Sequence, residues 1–124
     1  MTITSSRDRF GDNDEMADRL GGFVVQGIKT ATCSAYDPNK PIPKVGDRTT
    51  IEDSQGRPLC IIETTEVRII PFNQIDAKFV YDEGEDDRTL ESWRKEHQTF
   101  FGRNGGFKPD MLLVCERFKV VQKF

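Results

Sequence analysis

Residues 59–70 read LCIIETTEVRII, a run so rich in Ile, Val and Thr that a β-strand must form the centre of whatever this chain folds into. Twelve residues is long for one strand, so a bulge or bend is expected within it. A strand of that length needs partners on both edges. Residues 111–121, MLLVCERFKVV, supply one from the far end of the chain. There Leu113, Cys115, Arg117 and Lys119 alternate with Leu112, Val114, Glu116, Phe118 and Val120 on the opposite face. Shorter β-prone runs cover 30–36 (TATCSAY) and 48–52 (RTTIE), and SQGR at 54–57 makes a hairpin turn. Strands from both ends of the chain must therefore pair to close the sheet.

The rest of the chain reads as helix and loop. Asn13 or Asp14 caps a helix that runs to about Gly27, with Met16, Leu20, Phe23, Val24 and Ile28 on one face. Gly21 and Gly22 weaken that helix and suggest that another backbone approaches closely. Residues 1–9 read as a loose N-terminal arm, docked through Phe10 beside it. The prolines of 37–47 mark a loop. Pro71 and Phe72 open a helix over 73–81, and Thr89 caps another over 90–101. This order predicts an α+β fold with a mostly antiparallel sheet, curled into a small β-barrel with its helices packed outside.

At 124 residues one domain is expected, and the core does not need staples. Nine Phe and 35% hydrophobic residues set the chain apart from a disordered one. No apolar stretch approaches the length of a membrane span, and MTITSSRDRF lacks the apolar region of a secretory signal. A cytoplasmic protein without membrane contact is the default expectation. Net charge is −3, which argues against a surface built to hold long nucleic acid by its phosphates but leaves room for a single nucleotide in a pocket. Cys33, Cys60 and Cys115 are far apart, form no CxxC, and have only His97 as a histidine companion. They read as buried free thiols. No metal and no cofactor are expected, since a zinc site needs about four N or S ligands. A cysteine nucleophile paired with His97 is the alternative.

Several residues can carry chemistry. Lys29 sits between a helix end and a strand, and converges with Thr32 only if it lies in the turn before the pleat begins. A desolvated lysine has a lowered pKa and can act as a general base, with the threonine as nucleophile or as a carbonyl ligand. The alternative is a surface lysine that complements a helix dipole. The run 82–87, DEGEDD, crowds carboxylates that raise one another's pKa, so one can serve as an acid; the alternative is a solvated helix start. Glu116 and Arg117 either point outward or pair inside a cavity. Asp12, after Gly11, either turns inward or complements the helix start. Trp93 and His97 share a helix face, where Trp93 suits the core. Arg88, Arg94, Lys95 and Arg103 can form a local basic strip.

Six blocks appear in order: FGDNDEMADRL (10–20), QGIKTATCS (26–34), PIPKVGD (41–47), TTEVRIIPFNQID (64–76), EGEDDRTLESWRKEHQTFF (83–101) and DMLLVCERFKVV (110–121). With these the chain resembles bacterial ASCH-domain proteins over nearly everything after residue 9, so 10–124 reads as one ASCH domain. The resemblance implies a β-barrel related to the PUA fold, with a pocket lined by the GxKxxT segment. It implies action on a modified nucleoside or RNA. Some members resemble amidohydrolases that deacetylate N4-acetylcytidine, and others are described as ribonucleases. In the amidohydrolase branch the functional residues correspond to Lys29, Thr32 and a glutamate, either Glu85 or Glu83. Asp12, Glu83, Arg88, Trp93 and Arg117 are the expected substrate contacts. The chain differs from the short amidohydrolases in its FGD segment and its longer acidic loop, which places it nearer a second subgroup. The rivals to an enzyme are a reader of single-stranded RNA and a non-catalytic nucleoside sensor. A homodimer is compatible with the sequence.

Overall fold

The computed structural model describes residues 6–11, 13–85 and 87–124. Its five strands are β1 (Ser6–Asp8), β2 (Ala31–Ala35), β3 (Arg48–Glu52), β4 (Pro58–Pro71) and β5 (Leu112–Lys123). Its three α-helices are α1 (Asp14–Val25), α2 (Ala77–Glu83) and α3 (Leu90–Arg103). The strands form one sheet in the order β1-β3-β4-β5-β2. All neighbours are antiparallel except β1 and β3, which run parallel. The result is a curled, barrel-like α+β fold with a mixed sheet.

β4 is the long central strand. It pairs with β3 over its first half and with β5 over nearly its whole length. The expected irregularities are present: the β4–β5 register shifts between Ile61 and Ile62 and again between Thr64 and Glu66. An extra residue on one side of a ladder bends the strand and increases its twist, which is what a sheet needs to curl. Strands from opposite ends of the chain do pair, as β2 lies on the outer edge of β5, but the sheet stays open with β1 and β2 at its two edges.

Two apolar clusters hold the layers together. α1 lays Val24 on Ile51, Cys60, Ile62 and Phe118, and Phe10 stacks on Phe118 at 5.9 Å. α2 and α3 place Phe79, Val80, Trp93 and Phe101 against Ala31, Leu113 and Cys115, with Phe72 at the centre of their aromatic contacts. Burial of a side chain of this kind stabilises by about 1.5–3 kcal/mol, so these clusters hold the helices to the sheet.

Four expectations change. Part of the loose arm is an edge strand: Ser6–Asp8 pairs with Thr49–Ile51, and the Ser6 and Thr49 hydroxyls lie 2.9 Å apart. Polar side chains and short length concealed it. The helix expected over 73–81 is two pieces, a 3-10 turn at Phe72–Gln74 and then α2. Ile75 is extended between them, and Asp76 starts α2 anew by accepting a hydrogen bond from Phe79 N at 2.8 Å. Gly21 makes room for a side chain rather than a backbone, since a Cβ there would fall 2.7 Å from Leu59 Cδ1. Gly22 meets only the end of Gln26, so its glycine is not explained by packing.

Candidate functional site

Lys29 is not a surface residue. α1 ends in a tight turn in which the Ile28 and Lys29 N–H groups both donate to Phe23 O, and β2 begins only at Ala31. Lys29 therefore lies before the pleat, as convergence with Thr32 requires, and its side chain is fully buried. Nζ has three hydrogen-bond acceptors: Glu85 Oε2 at 2.7 Å, Ala31 O at 2.9 Å and Glu83 O at 3.2 Å. These match the three donors of an ammonium group. Glu83 Oε2 lies 3.5 Å away, and the Phe10 ring covers the charge at 5.2 Å.

The partners come from the end of α2. Gly84 caps that helix in a left-handed conformation, φ 69°, so that Glu83 O turns toward Lys29 and Glu85 leaves in a new direction. A Cβ on Gly84 would fall 2.7 Å from Ile28 O, so glycine also permits the close approach of α2 to the turn that carries Lys29. Thr30 N donates to Asp82 O at 2.7 Å and ties the same two segments together.

The electrostatics separate the two glutamates. Burial alone would drive Lys29 toward neutrality, but Glu83 and Glu85 outweigh it and its pKa is raised. This corrects the expectation of a lowered lysine pKa: the group is held as an ammonium. Burial would also raise Glu85, yet Lys29 at hydrogen-bond distance outweighs it and holds that carboxyl below its usual range. Glu83 goes the other way. Its burial prevails over Lys29, with added repulsion from Glu85, so it keeps a proton to higher pH. Its Oε1 accepts from Trp93 Nε1 at 2.7 Å and from Cys33 Sγ at 3.4 Å. One carboxyl of the crowded loop is thus biased toward protonation, and the cause is burial more than crowding.

Glu85 opens onto a cavity of about 300 Å³ that is also lined by Thr32, Cys33, Glu83 and His97. Phe10 and Gly11 form part of its wall, while Asp12, which follows them, lies outside the described residues. A wider groove of about 530 Å³ runs between the end of α1 and β5, past Gln26, Lys29, Lys119 and Lys123; it includes Lys29, which the smaller cavity does not, but neither glutamate nor Thr32. The convergence of reactive side chains picks out the smaller cavity.

The other expected contacts lie elsewhere. Trp93 is buried, stacked between Phe72 at 5.1 Å and His97 at 4.3 Å, and reaches the site only through Glu83. Arg88 donates to Tyr81 O at 2.9 Å, packs on the Tyr81 ring and reaches Ile28 O, so it clamps the acidic loop to the Lys29 turn. Arg117 pairs with Asp82 and Glu66 beside a separate small cavity that includes Phe79. Glu116 does not point outward: it accepts from Thr64 Oγ1 at 2.5 Å, and burial raises its pKa. Of the basic strip, Arg103 lines the cavity, Arg88 is engaged as above, and Arg94 and Lys95 are exposed on α3.

Cys33 and His97 entered the sequence reading only through its alternative, a cysteine nucleophile paired with His97, and were not among the expected catalytic or substrate contacts. Cys60 and Cys115 are buried free thiols as expected, whereas Cys33 is only half-buried and faces the cavity. The available signal was the four-residue spacing of Trp93 and His97, which does stack the two rings. Nothing in the spacing announces that a strand residue meets them.

Known proteins share this arrangement of strands and helices. The family model of the ASCH domain matches residues 6–122. An ASCH domain from Lactobacillus crispatus JV V101 is 35% identical, with a TM-score of 0.91 over 94% of this chain and 79% of that one. A protein from Enterococcus faecalis V583 is 42% identical, with a TM-score of 0.87 over 99% of this chain and 79% of that one. A hypothetical protein at 14% identity and a TM-score of 0.61 shows the fold alone. No curated protein matches the chain. The chain belongs to the ASCH-domain family. No described helix is long and apolar enough to cross a membrane.

Proposed function

We propose that this chain is an amidohydrolase that removes the N-acyl group from a nucleoside of the N4-acetylcytidine type. The observation that carries the reading is the Lys29–Glu85 pair at 2.7 Å, whose carboxylate opens onto the cavity that Thr32 also lines. These are the residues that the resemblance to the amidohydrolase branch assigns, and of the two glutamates Glu85 is the one whose pKa Lys29 holds below its usual range. The cavity volume is at the lower end of the range for small-molecule sites and suits one nucleoside.

The roles are redistributed relative to the sequence reading. A sealed ammonium with a raised pKa has no lone pair to offer, so Lys29 is a positioning residue that keeps Glu85 ionised. Glu85 takes the proton of the Thr32 hydroxyl as that oxygen attacks the acyl carbonyl. It then delivers the proton to the departing base amine, which leaves the acyl group on Thr32 as an ester. Water attacks that ester, gives its proton through Glu85 to the threonine oxygen, and releases the carboxylic acid. General acid–base catalysis of this kind contributes about 10²- to 10⁴-fold.

A chromatographic turnover assay on N4-acetylcytidine and related N-acyl cytidines tests the reading. Wild type releases the free base amine, and Glu85→Gln and Thr32→Val each lose at least about a hundredfold in kcat. Absence of turnover by wild type on every N-acyl cytidine overturns it. A second reading, an RNA-directed protein, draws on Arg19 and Arg103 in the lining of the same cavity, where they can meet phosphate. It predicts RNA binding that weakens steeply with salt. Saturable binding of nucleoside without turnover identifies a sensor instead.

A further inference from the structure

We propose that Cys33, Glu83 and His97 form a site for one divalent transition ion of the zinc class. The three come from different elements, β2, α2 and α3. One ligand atom from each lies within 4.8 Å of the other two. Tetrahedral zinc holds such atoms at about 2.0–2.3 Å from the metal, hence roughly 3.5 Å from one another. Closing the set takes a contraction on the order of 1 Å, within reach of a half-buried Cys33 and a half-buried His97.

The surroundings favour a metal over a chance meeting. His97 Nδ1 sits 2.9 Å from Trp93 O, and a carbonyl can only accept, so Nδ1 carries the proton. Nε2 of the neutral ring then carries the lone pair. This is the backbone-anchored tautomer that metal-ligating histidines adopt. Glu83 is oriented by Trp93 Nε1 in the same way. The Cys33 thiol already points its hydrogen at Glu83 Oε1, and the metal takes the place of that proton. Binding is balanced: the Cys33 thiol releases one proton to solvent as the metal thiolate forms, and Glu83 ligates as the carboxylate, releasing to solvent whatever proton it holds.

Charge decides which ion fits. With Cys33 as a thiolate, three anions (Cys33, Glu83 and Glu85) face one lysine ammonium. A divalent cation makes the set neutral, whereas a monovalent one leaves it negative. Sulfur and imidazole ligands select zinc-type ions over magnesium or calcium. Three protein ligands leave the fourth position open toward the cavity, the arrangement of reactive rather than purely structural sites. The sequence argued against a metal because its three cysteines are far apart, form no CxxC and have one histidine beside them, short of about four N or S ligands. The inference does not depend on the acyl substrate proposed above.

Titration of the chelator-treated protein with cobalt(II), followed by absorption, tests it. One equivalent of cobalt should give a thiolate-to-cobalt charge-transfer band. Cys33→Ser should abolish the band, His97→Gln should weaken binding at least about tenfold, and Cys60→Ser should change neither. Since His97 is half-buried on a helix surface, its variant keeps the fold if Cys33→Ser does not. No band in the wild type, or a band that survives Cys33→Ser, overturns the proposal. Cobalt affinity unchanged by His97→Gln overturns it as well.

Discussion

Lys29 Nζ donates at 2.7 Å to Glu85 Oε2, a residue that lines the smaller cavity, and no part of the lysine side chain reaches solvent. The pair therefore holds structure as well as chemistry. Removing the cation leaves Glu83 and Glu85 close together with no counter-charge, and breaking a buried pair in this way costs about 3–5 kcal/mol. Lys29→Met is expected to show that loss in urea denaturation. Adding Glu83→Gln to Lys29→Met is expected to recover part of it, because the repulsion between the two carboxylates disappears. An Ala or Met variant at Lys29 is thus a poor probe of catalysis alone, which is why Glu85 and Thr32 are the positions for kinetic tests.

Trp93→Phe separates the indole N–H from the ring. A phenyl ring keeps most of the packing on Phe72 but removes the indole donor at 2.7 Å from Glu83 Oε1 and leaves that oxygen the longer, weaker bond from Cys33 Sγ at 3.4 Å. A buried acceptor that loses its partner costs about 1–3 kcal/mol. Denaturation should show a loss in that range. A near-neutral result would mean that another donor replaces the indole.

How far the site was legible follows from these contacts. Lys29 and Thr32 are three residues apart, and a lysine wedged between helix and strand is visible in the chain. Its burial is not visible, because it depends on Gly84 letting α2 approach Ile28. The choice between Glu83 and Glu85 could not be read from a run of acids; both line the cavity, and they are told apart by their partners, Trp93 Nε1 on Glu83 and Lys29 Nζ at 2.7 Å on Glu85. Long strands and capped helices were legible because their signals are local: β4 and β5 from composition, and α3 from Thr89, whose hydroxyl accepts from Ser92 N. β1 was not, since its pairing with β3 depends on residues more than forty positions away. The direction of the Lys29 pKa was misread for the same reason: desolvation is a property of one residue, but the two carboxylates that reverse it arrive from another element.

Asp53 gives a pH dependence whose sign can be worked out. In the β3–β4 turn it accepts from Arg57 N at 3.0 Å, Gln55 N at 2.8 Å and Arg57 Nε at 2.8 Å. The backbone bond from Arg57 leads the effects that lower its pKa from 3.8. A carboxyl depressed by folding contributes stability that is complete above its unfolded pKa and is lost as pH falls through the folded value. Asp53→Asn should therefore lose less stability than wild type on acidification below about pH 4, with the difference absent near neutrality apart from a constant offset. Denaturation midpoints across that interval measure it. Parallel curves for the two proteins would remove Asp53 from the acid response.

Gly84→Ala tests whether the α2 cap builds the site. Two effects add there. The left-handed φ of 69° costs a residue with a Cβ about 1–2 kcal/mol, and that Cβ would stand 2.7 Å from Ile28 O, too close for the backbone to remain in place. Gly56 is the control, because its φ of 77° carries the same conformational cost while nothing lies within 4 Å of the added atom. Gly56→Ala should cost about 1–2 kcal/mol and leave turnover unchanged. Gly84→Ala should cost distinctly more, and turnover should fall with it, because Glu83 and Glu85 flank the residue that must move. Equal losses of stability in the two variants would mean that α2 can shift away from the Lys29 turn at no cost. The close approach at Gly84 would then not be what fixes Glu85 against Lys29.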